Sequence, residues 1–170
     1  MPAPDPAPAD GIGDLLRALR SRAFSAAIGA CFGLQLSPAT LMVTLRGRCR
    51  ASDGGIHTDS RTKVVTALLY LNQQWTAPGG RLRLLRSPTD LEDMIAEVSP
   101  LAGTFVAFRR SENSFHGHPP FAGERRYIML NWMTDAAVAR RELRRHAVSL
   151  AAKRIGLGLM HPFGGGALHA

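Results

Sequence analysis

Five short apolar runs between residues 40 and 132 constrain the fold more than any other feature of the sequence. Each run is rich in β-branched and large apolar residues, and glycine, proline, serine or asparagine residues separate the runs. They are Thr40–Leu45, Lys63–Leu71, Arg81–Leu85, Gly103–Phe108 and Tyr127–Trp132. In the third run, leucines alternate with arginines, which is typical of a strand with one face in water. The middle of the chain is therefore predicted to be all-β.

Helical patterns flank and interrupt this region. From Asp10 to about Ala30, apolar residues recur at spacings of three and four, which predicts an amphipathic helix capped by Asp10. The acidic residues at Pro88–Ile95 predict a short connecting helix. A second amphipathic helix, basic on its polar side, is predicted at Thr134–Ile155. Together these elements predict a mainly β fold, a β-sandwich or open barrel, with flanking helices.

The length of 170 residues suits a single domain with two irregular ends. Residues 1–10 carry proline at every second place over part of their length, which predicts a disordered Pro-rich arm. Residues 157–170 form a Gly-rich tail. The domain between them, residues 11–156, is expected to contain an N-terminal helix, a β core at about 39–133 and a C-terminal basic helix at 134–155.

Composition narrows the function only partly. The 45% hydrophobic and 20% charged content is typical of a globular protein and excludes wholesale disorder. Cys31 and Cys49 form no CxxC pair, so neither a zinc cluster nor a disulfide framework is indicated, and a cytoplasmic location is expected. No signal-peptide pattern or long apolar run indicates a membrane partner. The net charge of +8 would attract nucleic acid, anionic lipid or acidic small molecules alike.

Two histidines and one carboxylate form a candidate metal site. Residues two apart in an extended backbone project from the same face, so the side chains of His57 and Asp59 converge. His116 offers a third ligand, and His118 is a rival two positions further on. Two histidines and a carboxylate bind Fe(II) and leave positions open for a cosubstrate and dioxygen, whereas zinc normally keeps fewer open.

A neighbouring arginine and a tyrosine suggest what the cosubstrate is. Arg126 follows His116 by ten positions within an apolar strand, where a guanidinium requires a planar anion such as a dicarboxylate. Strand alternation forbids Arg125 and Arg126 from both pointing inward, and the Arg-Tyr dipeptide that opens the strand favours Arg126 as the anchor. Tyr70 offers a phenol that could bond the same carboxylate.

In this order and spacing, residues 56–132 resemble the Fe(II)/2-oxoglutarate-dependent dioxygenases, specifically their prolyl-hydroxylase-like branch. The resemblance is carried by His57-Thr58-Asp59, Tyr70-Leu71-Asn72 with Trp75, Gly79-Gly80-Arg81-Leu82, Pro100 with Gly103, His116 with Pro120, and Arg126-Tyr127. It implies a double-stranded β-helix core, jelly-roll and cupin-like. In that core, Fe(II) would be held by His57, Asp59 and His116, and 2-oxoglutarate by Arg126 and Tyr70. The place of Pro120 in this pattern favours His116 over His118 as the third ligand.

The activity that this resemblance implies is hydroxylation of an aliphatic C–H bond in a peptidyl or small-molecule substrate. The cosubstrates 2-oxoglutarate and O2 would be consumed, with release of succinate and CO2. A small apolar residue in place of Asp59 would open a position for a halide, so the carboxylate favours hydroxylation over halogenation. The alternative is a non-catalytic β-barrel module that uses the basic C-terminal helix to bind nucleic acid or an acidic protein partner. Nucleic acid is the less favoured partner, because a helix with its basic side in water explains the same residues.

Overall fold

Two antiparallel β-sheets and a pair of N-terminal helices form most of the computed structural model, which describes residues 11–142 and 144. The helices are α1 (Gly11–Leu19) and α2 (Arg22–Phe32), and a 3-10 turn at Pro38–Thr40 leads into the first strand. The strands are β1 (Leu41–Cys49), β2 (Lys63–Tyr70), β3 (Leu82–Leu85), β4 (Met94–Val98), β5 (Phe105–Arg109), β6 (His116–Gly117) and β7 (Gly123–Met133). A further helix begins at residue 136, and the Asp135 carboxylate accepts a hydrogen bond from the backbone N–H of Val138 at its start.

The strands form a four-stranded sheet in the order β1-β7-β2-β5 and a three-stranded sheet in the order β4-β3-β6. Strands distant in sequence are neighbours, and all the strand pairs are antiparallel. Leu68 and Tyr70 of the first sheet pack with Leu82 of the second in one buried cluster, so the two sheets face each other. This is a jelly-roll core, and the predicted mainly β class with flanking helices is confirmed.

The outer face of the four-stranded sheet is closed by the two helices. Alternate side chains of β2 and β7 form this face, including Val65, Ala67, Ile128, Leu130 and Trp132, and they pack in one cluster with residues of both helices. The Trp132 indole N–H donates to the Ser25 hydroxyl at 3.3 Å, and the indole stacks on Phe24. The other face of the sheet is left to line the space between the sheets.

The N-terminal helix was expected to be continuous, but it is divided at residues 20 and 21. Ser21 has an extended backbone, and its hydroxyl accepts a hydrogen bond from the Phe24 N–H at 3.0 Å. This is the N-cap that serine favours, so a second helix starts here. The predicted cap, Asp10, lies outside the described residues.

The helix predicted at Pro88–Ile95 is wrong. Residues 88–93 form bends, and β4 begins at Met94 and pairs with β3. The Ser87 hydroxyl accepts hydrogen bonds from the backbone N–H groups of Thr89 and Asp90, and the Asp90 carboxylate accepts one from Glu92. Short polar side chains here satisfy a turn rather than the first turn of a helix.

Several expectations fall wholly or mostly on residues that the structure does not describe. They are the Pro-rich arm at residues 1–10, the Gly-rich tail at 157–170 and most of the basic helix at 134–155, of which only residues 134–142 and 144 are described. Within the described part of the chain, no helix has the length and apolar character needed to cross a membrane.

Candidate active site

The three predicted metal ligands meet at one end of the space between the sheets. His57 and Asp59 lie in the segment between β1 and β2, and His116 lies on β6. The backbones of His57 and His116 exchange two hydrogen bonds, of 3.0 and 2.9 Å, which hold the two residues side by side. One ligand atom from each of His57, Asp59 and His116 lies within 4.8 Å of the others. The structure therefore brings together residues that are 59 positions apart in the chain.

Backbone carbonyls orient both imidazoles. The Nδ1 atom of His57 lies 2.8 Å from the Gly55 carbonyl, and that of His116 lies 3.0 Å from the Ser114 carbonyl. A carbonyl only accepts hydrogen bonds, so Nδ1 carries a proton in each ring and Nε2 is the nitrogen left for a metal. Burial lowers the pKa of His116, which keeps this imidazole neutral. Imidazoles oriented by backbone carbonyls in this way are suited to bind a cation through Nε2.

Asp59 is buried, and both of its carboxylate oxygens have partners. Oδ1 pairs with the Lys63 ammonium group, and Oδ2 accepts a hydrogen bond of 2.5 Å from the Thr66 hydroxyl. Burial alone would raise the pKa of Asp59, but the charge and hydrogen bond of Lys63 and the bond from Thr66 hold it below its ordinary value. Asp59 is therefore an anionic ligand whose plane is set by two residues at the start of β2.

Asn131 of β7 extends this arrangement. Its side-chain amide oxygen is placed 2.9 Å from the Thr66 hydroxyl, and its amide nitrogen is buried with no partner among the described residues. A hydroxyl has one proton, and the Asp59 carboxylate can only accept, so Thr66 donates to Asp59. The two orientations of an amide have the same shape, and the one that turns the nitrogen towards Thr66 gives the Thr66 hydroxyl oxygen a donor. A hydrogen-bond chain then runs from Asn131 through Thr66 to Asp59.

A cavity of about 340 Å³ opens beside these ligands. Its wall includes Leu68 of β2, Phe108 of β5, and Tyr127 and Met129 of β7. The Phe108 and His116 rings are 4.6 Å apart between centroids. The cavity has the size of a small-molecule site, with apolar walls and a few polar groups that converge on it.

Arg125, and not Arg126, lines this cavity, so the prediction that Arg126 is the inward arginine is wrong. Arg125 is only 3% exposed. Its Nε donates to the Gly80 carbonyl at 2.7 Å, and one terminal nitrogen donates to the Tyr70 hydroxyl at 3.0 Å. Its other terminal nitrogen has no hydrogen-bond partner among the described residues. The Arg126 side chain is exposed and pairs with Glu124 on the surface.

The alternation of side chains along β7 explains why Arg125, and not Arg126, lines the cavity. Strand β7 begins at Gly123, earlier than predicted, so both arginines lie inside it. Arg125 shares a face with Tyr127 and Met129, which line the cavity, whereas Arg126 shares a face with the helix-covered Ile128. The register with β1 also skips one residue of β7 at this point, between the pairs Arg46–Tyr127 and Arg48–Glu124.

Tyr70 is placed behind Arg125 rather than on the cavity surface. It is completely buried, and its ring and that of Tyr127 lie 5.3 and 4.8 Å from the Arg125 guanidinium carbon. Burial raises the pKa of Tyr70 to about 12, although the positive charge of Arg125 opposes this. The phenol is therefore neutral at physiological pH and accepts a hydrogen bond from Arg125.

His118, the rival ligand, faces another partner. It is buried, its Nδ1 lies 2.9 Å from the Pro119 carbonyl, and its Nε2 lies 3.8 Å from the Cys49 sulfur. It is not part of the three-residue ligand group. Gly54 is needed here, because its φ is +90° and a Cβ on it would lie 2.3 Å from the His118 ring.

Comparison with known proteins agrees with this geometry. The family model of the 2OG-Fe(II) oxygenase superfamily matches residues 48–134, which is half of the chain and contains all three ligands. The chain belongs to the 2OG-Fe(II) oxygenase superfamily. The predicted family is thus confirmed, and so are the cofactors in the sense that Fe(II) and 2-oxoglutarate are those of the superfamily.

Two solved structures resemble this oxygenase-superfamily chain. A prolyl-4-hydroxylase from Pseudomonas putida has 27% identity and a TM-score of 0.55, and the match covers 76% of this chain and 66% of that one. A prolyl 4-hydroxylase from Phytophthora capsici has 26% identity and a TM-score of 0.50, with 73% and 43% coverage. The chain thus spans slightly less than two thirds of the first and under half of the second. No curated protein sequence matches the chain.

The donor set fits the iron of this superfamily. Two imidazoles and one buried carboxylate, with ligand atoms within 4.8 Å, are the ligands that Fe(II) takes in a facial arrangement. Sequence reasoning found these three residues but did not find Lys63, Thr66 or Asn131 around them. The alternation of β2 and β7 is the signal that could have found Thr66 and Asn131, because a threonine and an asparagine recur on the otherwise apolar face towards the cavity.

Proposed function

We propose that this chain is an Fe(II)- and 2-oxoglutarate-dependent dioxygenase that hydroxylates an aliphatic C–H bond of a peptidyl or small-molecule substrate. The observation that carries this proposal is the meeting of two imidazoles and a carboxylate at a cavity whose wall contains a buried arginine. His57, Asp59 and His116 would hold Fe(II), as predicted from the sequence. Arg125, in place of Arg126, would bind 2-oxoglutarate.

The chain's own residues perform the binding and the orientation. When bound, iron and 2-oxoglutarate supply the oxidising chemistry, in which O2 is consumed and succinate and CO2 are released. The free terminal nitrogen of Arg125 would donate to the remote carboxylate of the cosubstrate, and Tyr70 would keep the guanidinium in position. Leu68 and Met129 give the cavity wall an apolar part beside the ligands.

The two similar solved structures favour a peptidyl substrate. Both are described as prolyl 4-hydroxylases, which act on proline residues, and a carboxylate at Asp59 supports hydroxylation because it leaves no ligand position for a halide. The surroundings of the ligands support the same chemistry: Thr66 and Lys63 keep the carboxylate anionic at the position where a cation would bind.

Metal analysis combined with turnover tests the proposal. The wild type is expected to bind one Fe(II) per chain and to form succinate from 2-oxoglutarate, because its three ligand side chains are already assembled. His57→Ala, Asp59→Ala and His116→Ala should each lose tight metal binding and succinate formation, since each removes one of three ligands.

His118→Ala is the matched control, because this histidine is equally buried and only two positions from His116. It should retain one metal per chain. The proposal fails if the three ligand variants bind metal as the wild type does, or if the loss occurs only in His118→Ala.

A further inference from the structure

The cavity beside the metal ligands carries an excess of positive charge. Four cationic side chains and two carboxylates line it: Arg46, Arg48, Lys63 and Arg125, with Asp53 and Asp59. The excess is therefore two positive charges. A ferrous ion would add two charges, and the 2-oxoglutarate dianion would remove two. The fully loaded cavity would keep its excess of two, and no residue of the described wall neutralises it.

The excess can be assigned to two residues. Lys63 is paired with Asp59, and Arg125 is bonded to Tyr70 and the Gly80 carbonyl. Arg46 and Arg48, on β1, are exposed, and their side chains have no hydrogen bond or ion pair with any described residue. They are the cations of this wall that remain available to a ligand once Arg125 has bound 2-oxoglutarate.

The position of these two arginines on β1 is not that of an ordinary solvated strand face. Leu41 and Val43 of β1 face the helix-covered core, so residues of opposite parity face the space between the sheets. Arg46 and Arg48 are of that parity and line the cavity, and Arg46 pairs across the strands with Tyr127, itself a wall residue. The chain thus aims two consecutive inward positions of β1, both arginines, at the cavity.

A guanidinium presents planar pairs of donors that match a carboxylate better than any neutral group. Two of them at the accessible side of a cavity attract an anion and orient it. We propose that Arg46 and Arg48 bind a carboxylate group of the prime substrate, which makes the substrate class of this site an acidic one. This inference rests on the proposed function, because it concerns the molecule that would be hydroxylated. The carboxylate has two sources, an acidic side chain of a peptide or a free small carboxylic acid.

Calorimetry on the full chain, loaded with Mn(II) and saturating 2-oxoglutarate, tests the proposal. Two matched pairs of probes separate the sources: capped tripeptides with proline between two glutamates or between two glutamines, and N-acetylglutamate against N-acetylglutamine. In at least one pair the acid should bind about tenfold more tightly than its amide, the ratio that roughly 1.4 kcal/mol produces. The pair that shows the preference identifies the source.

Two double variants assign the preference to the cavity. Arg46→Gln with Arg48→Gln should reduce the ratio to below about twofold, because the donors to the carboxylate are gone. Arg20→Gln with Arg22→Gln removes the same charge from exposed residues of the helical side and should retain the ratio. The proposal is overturned if acid and amide bind alike in both pairs, if the preference survives in the cavity variant, or if the helical variant loses it equally.

Binding of Mn(II) and 2-oxoglutarate by the wild type is measured first and keeps the two proposals apart. If neither binds, the proposed function fails and this inference fails with it. If both bind and no acid is preferred, only the inference about the prime substrate fails.

Discussion

The two adjacent arginines of β7 offer a direct test of whether Arg125, rather than Arg126, binds 2-oxoglutarate. Replacing Arg125 by glutamine removes the guanidinium that would hold the remote carboxylate of 2-oxoglutarate. A hydrogen bond between charged groups contributes roughly 1.5–3 kcal/mol, so its loss should raise the dissociation constant of 2-oxoglutarate about 10- to 150-fold. Arg126→Gln loses only a pair with Glu124 whose side chains are 56% and 62% exposed, so the 2-oxoglutarate affinity should change by less than about twofold.

The assay is calorimetric titration of the Mn(II)-loaded variants with 2-oxoglutarate. Arg125→Lys is the informative intermediate, because it keeps the charge but loses the forked geometry and its bonds to Gly80 and Tyr70. Unchanged Mn(II) affinity in Arg125→Gln would show that the ligand group is still folded. Weaker 2-oxoglutarate binding in Arg126→Gln than in Arg125→Gln would refute the reasoning from strand alternation.

Two further outcomes follow from the buried polar groups. Thr66→Val removes the hydroxyl that donates to Asp59, so the Mn(II) affinity should fall by about tenfold. Thr66→Ser keeps a hydroxyl and should retain the wild-type affinity. An unchanged affinity in Thr66→Val would contradict the hydrogen-bond chain. Because the pKa of Tyr70 is raised to about 12, the folded state binds one more proton than the unfolded state between pH 10 and 12. The free energy of unfolding should therefore fall across that range, by about 3 kcal/mol, and Tyr70→Phe should abolish this part of the pH dependence in denaturant titrations at each pH.

Part of the candidate metal site could be predicted from the sequence because it depends on local and chemical rules. Two residues in an extended segment share a face, and two histidines with a carboxylate suit Fe(II), so His57 and Asp59 could be named without coordinates. His116 was preferred to His118 only through the family resemblance. That His57, Asp59 and His116 would meet depends on the pairing of β6 with the segment that precedes β2, and only the family resemblance carried this information.

The choice between Arg125 and Arg126 failed for a physical reason. It was based on the start of a strand, and strand β7 begins four residues before the predicted start at Tyr127. Alternation counted from the apolar face of Ile128, Leu130 and Trp132 would have put Arg126 on the helix side and Arg125 on the other. The apolar pattern, which spans the whole strand, was a better guide than its end.

The missed strand β4 has a different cause. Acidic residues after a proline fit the first turn of a helix, but they fit equally the partners of a neighbouring strand. Arg83 of β3 bonds both Glu92 and Glu97, so these acids are paired across the sheet and its turn. Such pairing involves residues far enough apart that a local pattern does not contain it.

The two faces of strand β7 have different neighbours. One side touches the cavity, and the other is sealed by Leu19 and Ile28 of the helices. The segment matched by the family, residues 48–134, lacks these helices and most of β1. A fragment cut to that segment would expose the apolar outer side to water and lose the edge neighbour of β7, so it would not keep the ligands assembled. The smallest fragment that keeps the three candidate ligands together must therefore begin well upstream of the first of them, His57.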